Sequence, residues 1–143
     1  MIFKIKLLDE KCTPQRMTER SAGLDLRAKI TSEIIIHPRE KVLVPVGFCM
    51  EIPEGYEAQI RCRSGIALKH GIVVLNSPGT IDCDYRDEVK VILSNLGEAA
   101  YALQPYTRIA QMVISKYESP EFQLTDKLTE SERKGGFGST GNK

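Results

Sequence analysis

The sequence has no tryptophan, and only 6% of its 143 residues are aromatic. Its 20 basic and 19 acidic residues nearly cancel, which leaves a formal charge of +1. Surfaces that bind nucleic acid usually combine excess positive charge with aromatic side chains that stack on bases. The composition therefore predicts a protein without a nucleic-acid partner.

Clustered metal ligands and long apolar segments are also missing. The four cysteines form no Cys-x-x-Cys pair, and His37 and His70 do not lie at ligand spacing from them, so no zinc site is expected. No apolar run approaches the roughly 18 residues of a membrane span, and the first residues do not resemble a signal peptide. We therefore expect a cytoplasmic protein with reduced thiols and no membrane partner.

What the sequence does contain is recurrent alternation of apolar and polar residues. It is clearest from residue 56 to residue 63. No window of about 12 residues has a helical period, and turn signals return about every 8 to 12 residues. A chain of this size can bury about 68–70% of its unfolded surface in a single core. These features predict an all-β fold, either a sandwich, a jelly roll or a barrel.

Individual strands are predicted where apolar or alternating runs lie between turn residues. The first of them, residues 3–7, has the alternation of a half-buried strand. Residues 11–20 are predicted to form a loop and residues 66–70 at most one helical turn. The remaining predicted strands are residues 22–28, 34–36, 41–46, 48–52, 56–62, 72–75, 89–93, 102–103 and 109–114.

The end of the chain differs from the rest because it is polar and rich in glycine. A segment with one phenylalanine, Phe137, buries too little apolar area to order itself. We predict a β domain at residues 1–125 and a flexible tail at residues 126–143. Glycine amides, hydroxyls and cations could wrap phosphate oxygens while the phenyl ring stacks on a base, although a plain linker has the same composition.

One stretch, residues 76–93, combines turn residues with chemically useful side chains. Asp82, Asp84 and Tyr85 follow a Ser-Pro-Gly turn, and a β-branched strand comes after them, which predicts a hairpin. Strand alternation would place both carboxylates on one face and Tyr85 on the other. A carboxylate beside a ring can orient a water molecule or a sugar hydroxyl, but a solvated acidic tip would look the same.

Further polar groups lie where strands end or pack. Arg63, Ser64 and Gly65 offer an anion a guanidinium, a hydroxyl and an open amide, although a solvated strand face has the same residues. Gln111 is a neutral donor within an apolar strand, or a glutamine at the core edge that bonds to backbone. Asp25 could pair with an arginine or hold a hydrated metal ion.

Taken in order, five segments resemble the motifs of trimeric dUTPases. The resemblance implies a jelly-roll-like β fold, a homotrimer with shared active sites, and Mg²⁺-dependent hydrolysis of dUTP to dUMP and pyrophosphate. This reaction would limit uracil in DNA and supply dUMP for thymidylate synthesis. The segments are Ala-Gly-Leu-Asp-Leu-Arg, Arg-Ser-Gly-Ile-Ala-Leu-Lys-His-Gly, Asn-Ser-Pro-Gly-Thr-Ile-Asp-Cys-Asp-Tyr-Arg, Arg-Ile-Ala-Gln-Met-Val and Gly-Gly-Phe-Gly-Ser-Thr-Gly.

The resemblance also implies a role for each motif position. Asp82 would orient the water that attacks the α-phosphorus, and Tyr85 would pack under the deoxyribose and exclude a 2′-hydroxyl. Asp25 would contact magnesium through water, with the ion held mainly by substrate phosphates. The other implied substrate contacts are Asn76, Gly79, Thr80, Ile81 and Lys90 for uracil and its slot, Arg63, Ser64, Gly65 and Gln111 for phosphates, and Arg133, Phe137, Gly138, Ser139 and Thr140 in the tail.

Three positions depart from the family pattern. Cys83 replaces a more usual small polar residue, and Asp87 stands where glycine is common and would be tolerated even at positive φ. Only Lys134 separates Arg133 from the Gly-Gly-Phe segment, one residue fewer than usual, so either cation could contact the γ-phosphate.

Two other functions are compatible with parts of the sequence. The related dCTP deaminases place a catalytic glutamate at the position of Ile92, where this chain has no group that can move a proton. A nucleotide sensor without catalysis would be expected to lose Asp82, Tyr85 or the tail, and all three are present. Hydrolysis of dUTP is therefore the predicted activity.

Overall fold

The computed structural model describes residues 2–132 and residue 135. Within that part of the chain the fold is all-β with little helix, which confirms the predicted class. One α-helix, α1 (Ser64–His70), and one short 3-10 helix (Glu10–Cys12) accompany the strands. The strands are β1 (Lys4–Leu7), β2 (Leu24–Arg27), β3 (Ile34–Ile36), β4 (Lys41–Pro45), β5 (Phe48–Glu51), β6 (Tyr56–Arg61), β7 (Ile72–Val74), β8 (Gly79–Ile81), β9 (Lys90–Asn95), β10 (Tyr101–Leu103) and β11 (Arg108–Lys116).

These strands pair antiparallel in four small sheets. A four-stranded sheet has the order β2-β11-β6-β8, and a three-stranded sheet has the order β4-β9-β7. Two further pairs join β1 to β5 and β10 to β3. Because β8 belongs to the first sheet and β9 to the second, residues 76–93 cross between sheets. The predicted hairpin is therefore wrong in its pairing.

The core consists mainly of branched aliphatic side chains contributed by these sheets. Both larger sheets contribute side chains that are at most 1% exposed. The four-stranded sheet contributes Leu26 and Ile109, and the three-stranded sheet contributes Val44 and Val91. The core also contains one buried amide, Asn95, which donates to the carbonyls of Ile36 and Ala99 and accepts from the Gly97 amide. The amide is satisfied and can remain in the core at little cost.

Strand β1 forms where the alternation predicts it, but its side chains are not half-buried. Ile5 and Leu7 remain 44% and 37% exposed. The strand pairs with β5 along one edge, and Phe3 just before it packs edge-to-face on Tyr56 with ring centroids 6.1 Å apart. The apolar alternation is real, but the described part of a single chain does not cover this face.

Two local predictions need correction. Strand β8 ends at Ile81, and the amide of Tyr85 donates to the carbonyl of Asp82, so the residues after β8 form a turn and the two carboxylates do not share a strand face. Helix α1 is seven residues long, more than the single turn predicted at residues 66–70. It ends at Gly71, whose φ of 68° and close approach to Gly97 exclude a Cβ.

The remaining described chain after β11, residues 117–132, has no helix or strand. The domain boundary at residue 125 stays a prediction. In the residues that the structure covers, no helix has the length and apolarity needed to cross a membrane.

Candidate active site

Within the part of the chain that the structure describes, the predicted site residues other than Gly79 line two clefts. The first, which we call the Asp82 cleft, has a volume of about 410 Å³ and lies where β8 meets the three-stranded sheet. The second, the Arg63 cleft, has a volume of about 190 Å³ and lies on the four-stranded sheet. The Asp82 cleft is lined by Leu43, Asn76, Thr80, Ile81, Asp82, Tyr85, Lys90 and Ile92, and the Arg63 cleft by Asp25, Arg63, Ser64, Gly65 and Gln111.

In the Asp82 cleft, β8 carries the residues that face the opening. Gly79 is buried beneath Asn76, and a Cβ at Gly79 would lie 3.1 Å from the Asn76 amide nitrogen. Glycine therefore lets Asn76 lie close against the strand. Thr80 and Asp82 are exposed on either side of the half-buried Ile81. The strand thus ends with a solvent-accessible carboxylate at the edge of a partly apolar cleft.

Tyr85 forms one wall of the same cleft. Its hydroxyl donates to the carbonyl of Glu88 across 3.0 Å, and its ring is half-buried against the core. Burial, with a smaller contribution from Asp87, raises the pKa of Tyr85, so the phenol remains a neutral donor. Asp87 is not among the residues with positive φ, which in the described chain are, besides glycines, Arg39 and Tyr106.

Part of the lining of the Asp82 cleft is apolar. It includes Ile92 and the exposed Leu43, which sequence reasoning did not select as a site residue. Leu43 stands in an apolar run of the sequence and nothing there distinguishes it from a core residue; its exposure of 59% is seen only in the structure. Apolar walls with a few polar groups suit a flat, partly polar ligand, and Asp82 can orient a water molecule at its edge.

The Arg63 cleft is held together by ion pairs. One Asp25 oxygen accepts from Arg63 Nε at 3.0 Å, and the other accepts from Arg108 Nη1 at 3.0 Å. Arg63 also donates through Nη1 to the Arg108 carbonyl at 3.1 Å. The Asp25 side chain is only 11% exposed. Of the two possibilities raised for Asp25, arginine pairing is the one that the structure contains.

Gln111 also lines the Arg63 cleft. Its Nε2 donates to the carbonyl of Cys62 at 2.8 Å, so the glutamine bonds to backbone. A Cβ at Gly23 would lie 2.3 Å from Gln111 Oε1, which explains the glycine before β2. Ser64 and Gly65 line the same cleft and are exposed. A guanidinium, a hydroxyl and unobstructed backbone therefore face one open polar cleft, an arrangement that suits an anion.

Arg108 belongs to this cluster but was not predicted as a site residue. It begins β11, and the β2–β11 register shifts between Arg108 and Ala110. Such an irregularity changes the direction of a side chain relative to regular pairing. Its sequence signals were its position at the start of an apolar strand and its place as the first residue of the segment Arg-Ile-Ala-Gln-Met-Val.

A single chain holds the two clefts far apart. In the β6–β8 pairing, Ile81 lies opposite Ala58, so Asp82 continues toward the start of β6. Arg63 follows the other end of β6, five residues after Ala58. At about 3.3 Å per residue, Asp82 and Arg63 are separated by about 15–20 Å along the sheet.

The residues present allow magnesium only in a limited way. Among residues 2–132 and 135, no three His, Cys, Asp or Glu side chains gather as a metal site. The Asp25 carboxylate is a suitable hard ligand, but both its oxygens already accept from arginines. A water-mediated contact to an ion held by other ligands fits this geometry. The tail positions Arg133, Lys134, Phe137, Gly138, Ser139 and Thr140 lie outside the described residues.

Known proteins match this chain over most of its length. A family model for dUTPase matches residues 9–141. The deoxyuridine 5'-triphosphate nucleotidohydrolase of Orientia tsutsugamushi (strain Boryong) is 57% identical over 131 residues, which cover 91% of this chain and 88% of that protein.

Solved structures of dUTPases have the same fold. The Staphylococcus bacteriophage 80alpha dUTPase with dUpNHpp has a TM-score of 0.87 and 26% identity, and the match covers 98% of both chains. The dUTPase of S. aureus phage phi11, solved as a variant with a structural Mg(II) ion, has a TM-score of 0.80 and 21% identity, covering 91% of this chain and 100% of that one.

Proposed function

The chain belongs to the dUTPase family and is a dUTP diphosphatase, and from this premise we propose that the Asp82 cleft binds deoxyuridine while the Arg63 cleft of another copy binds the phosphates. The observation that carries the proposal is the separation of about 15–20 Å between the two clefts in one chain. The reacting phosphorus of a nucleotide lies next to its sugar, so with the sugar in the Asp82 cleft the Arg63 cleft of the same chain is poorly placed to contact that phosphorus.

A homotrimer with shared active sites resolves the separation. Cyclic symmetry places the same interface at every subunit contact, so the Asp82 cleft of each copy can face the Arg63 cleft of the next. The exposed apolar side chains of β1 support burial of this face by another copy or by a segment of one. The four small antiparallel sheets are compatible with a jelly-roll-like arrangement.

The Asp82 cleft would select both base and sugar. Asn76, Lys90 and the backbone of residues 79–82 would pair with uracil, and the apolar wall at Ile92 would leave no proton shuttle for deamination. Tyr85 would lie under the deoxyribose. Steric exclusion by a ring rejects a 2′-hydroxyl, whereas unmatched polar groups reject cytosine.

Phosphate binding would be the task of the Arg63 cleft. Asp25 fixes the plane of the Arg63 guanidinium through Nε, while Ser64, Gly65 and Gln111 supply neutral polar contacts beside it. Magnesium bound with the triphosphate would neutralise its charge, with Asp25 contacting the ion through water. Arg133, Phe137, Gly138, Ser139 and Thr140 of the tail would then close over the base and the outer phosphates.

Asp82 would carry the chemical step. Its exposed carboxylate would accept a hydrogen bond from a water molecule and hold it in line with the α-phosphorus. Attack by that oxygen breaks the bond between the α-phosphorus and the bridging oxygen, which releases pyrophosphate and leaves dUMP. In the cytoplasm this reaction would limit uracil in DNA and supply dUMP for thymidylate synthesis.

The test is pyrophosphate release by the purified protein with magnesium, with dUTP compared against dCTP, dTTP and UTP. We expect rapid release from dUTP and little from the other three. Ammonia release from dCTP would contradict the assignment of Ile92 as a non-reactive wall. Equal release from UTP would contradict the role assigned to Tyr85.

A further inference from the structure

Glu88 is a partly buried carboxylate that the proposed reaction leaves without a role. Its Oε1 accepts from the Gly47 amide at 3.1 Å and from Lys29 Nζ at 3.2 Å. The Glu88 side chain is 21% exposed and that of Lys29 is 34% exposed. Glu88 therefore joins the segment after Tyr85 to a separate part of the fold.

The receiving end of this link is rigid. The Gly47 carbonyl accepts from the amides of Leu8 and Asp9 at 2.8 and 3.2 Å. Gly47 has a φ of 78°, and a Cβ there would lie 2.6 Å from the Cβ of the buried Cys12. Because Gly47 is held by two bonds to its carbonyl and by close packing against Cys12, it can serve as an anchor for Glu88.

Tyr85 is attached to the same anchor through the backbone of Glu88. The Tyr85 hydroxyl donates to the Glu88 carbonyl at 3.0 Å. The next residue, Val89, pairs with backbone on both sides of Gly47, donating to Phe48 O at 2.9 Å and accepting from Val46 N at 3.1 Å. The Tyr85 hydroxyl is thus bonded to a backbone carbonyl that main-chain and side-chain hydrogen bonds hold in place.

The other bonds of the turn that carries Tyr85 are mostly internal to it. The Tyr85 amide bonds to Asp82, and Arg86 Nη1 bonds to the carbonyls of Cys83 and Tyr85. A long contact of 3.9 Å between Cys83 Sγ and Tyr117 Oη leaves the turn but is weak. Bonds within the turn move with it, so they cannot fix the ring relative to the sheets.

We propose that Glu88 is a positioning residue that fixes the tilt of the Tyr85 ring and thereby sharpens the rejection of ribonucleotides. The inference rests on the proposed place of Tyr85 under the sugar. Steric exclusion of one hydroxyl requires a wall that does not yield, and functional side chains must be held within about 0.5 Å to keep such selectivity. Without the Glu88 side chain, the backbone carbonyl to which Tyr85 bonds loses its link to Gly47, and the ring can then tilt enough to admit the extra oxygen.

The experiment measures kcat and KM for dUTP and for UTP separately, well below the melting temperature of each variant. In Glu88→Ala, which removes the bonds to Gly47 and Lys29, we expect the kcat/KM for UTP relative to dUTP to rise about tenfold. Glu88→Gln keeps an oxygen that can accept from Gly47 and should shift the ratio less. Tyr85→Phe, which lacks the hydroxyl that bonds to Glu88, should raise it as Glu88→Ala does.

Glu51→Gln is the matched control, because it removes an exposed ion pair with Lys4 on the neighbouring strand pair and should leave the ratio unchanged. Tyr85→Ala tests the contact between Tyr85 and the sugar separately from the positioning role of Glu88. If Tyr85→Ala raises the ratio and Glu88→Ala does not, the positioning role of Glu88 is refuted. If Tyr85→Ala also leaves it unchanged, the sugar contact itself is wrong. Should Glu88→Ala fail to fold, Glu88→Met, which has a side chain of similar length that cannot accept from Gly47 or Lys29, gives the same comparison.

Discussion

The two clefts are built in opposite ways. The Arg63 cleft lies on one sheet, where Gln111 on β11 lies between Asp25 on β2 and the end of β6. Its charged groups bond to one another. The Asp82 cleft lies between two sheets, and several of its polar groups are exposed. One site is therefore organised by side-chain ion pairs and the other by the shape of two converging sheets.

This difference indicates where substrate choice resides. Every nucleoside triphosphate carries the same phosphates, so an ion-paired arginine cluster recognises the class and not the member. Shape and unmatched polar groups distinguish one base or sugar from another. Changes in the Arg63 cleft should weaken all substrates together, whereas changes around the Asp82 cleft should alter turnover or selectivity.

The largest effect is expected from Asp82→Asn. The amide keeps the size of the side chain but orients water poorly, so kcat should fall by about 10² to 10⁴ while dUTP binding changes little. Turnover by stopped-flow pyrophosphate release and binding by calorimetry measure the two quantities. Asp84→Asn is the control, since Asp84 is exposed in the same turn without lining the cleft. Undiminished turnover in Asp82→Asn would refute the role of Asp82 in orienting water.

Deletion of residues 133–143 should have the next largest effect. If this segment closes over bound substrate, kcat should fall about 100-fold, because closure contributes to positioning and to exclusion of water. The melting temperature should change by little. Both are measured on the same preparation. A loss of stability comparable to the loss of turnover would make the segment a structural strap instead of a lid.

Arg108→Met should have a smaller effect and one that is uniform across substrates. It leaves Asp25 with one of its two arginines, which should lower the free energy of unfolding by about 1–2 kcal/mol, given the partial exposure of Arg108. KM should rise about tenfold, by a similar factor for dUTP and for any slow substrate. Lys4→Met at the exposed Lys4–Glu51 pair is the control and should change neither quantity. If KM rose for dUTP alone, the Arg63 cleft would not be a site that binds the phosphates of all substrates alike.

The sequence predicted the local features better than the way in which they come together. The alternation in β6 could be read from neighbouring side chains, because the period of a strand is a local property. The site residues around Asp82 were instead implied by the resemblance of their segment to a family motif. The partner strands of β8 and β9 could not be predicted, since turn residues do not specify which sheet a strand joins. Strand alternation also failed after Ile81, because the chain turns there and Asp82 and Asp84 do not share a strand face.

Long-range polar contacts were similarly beyond prediction. The bond from Arg108 to Asp25 spans 83 residues and involves a strand with an irregular register. Glu88 has no local pattern that links it to Gly47, which lies 41 residues earlier. The exposure of Ile5 and Leu7 shows the converse limit, because alternation predicts an apolar face but not whether the same chain covers it.

Complementation between two inactive variants tests most directly whether each active site combines two copies of the chain. Asp82→Asn and Arg63→Met chains are co-refolded in equal amounts. If each site takes Asp82 from one copy and Arg63 from the next, random mixing makes about a quarter of the sites intact, and about a quarter of the activity should return. Mixing Asp82→Asn with Asp82→Ala should restore nothing. If the first mixture is also no more active than its separate components, Asp82 and Arg63 of one chain serve one substrate and the account is wrong.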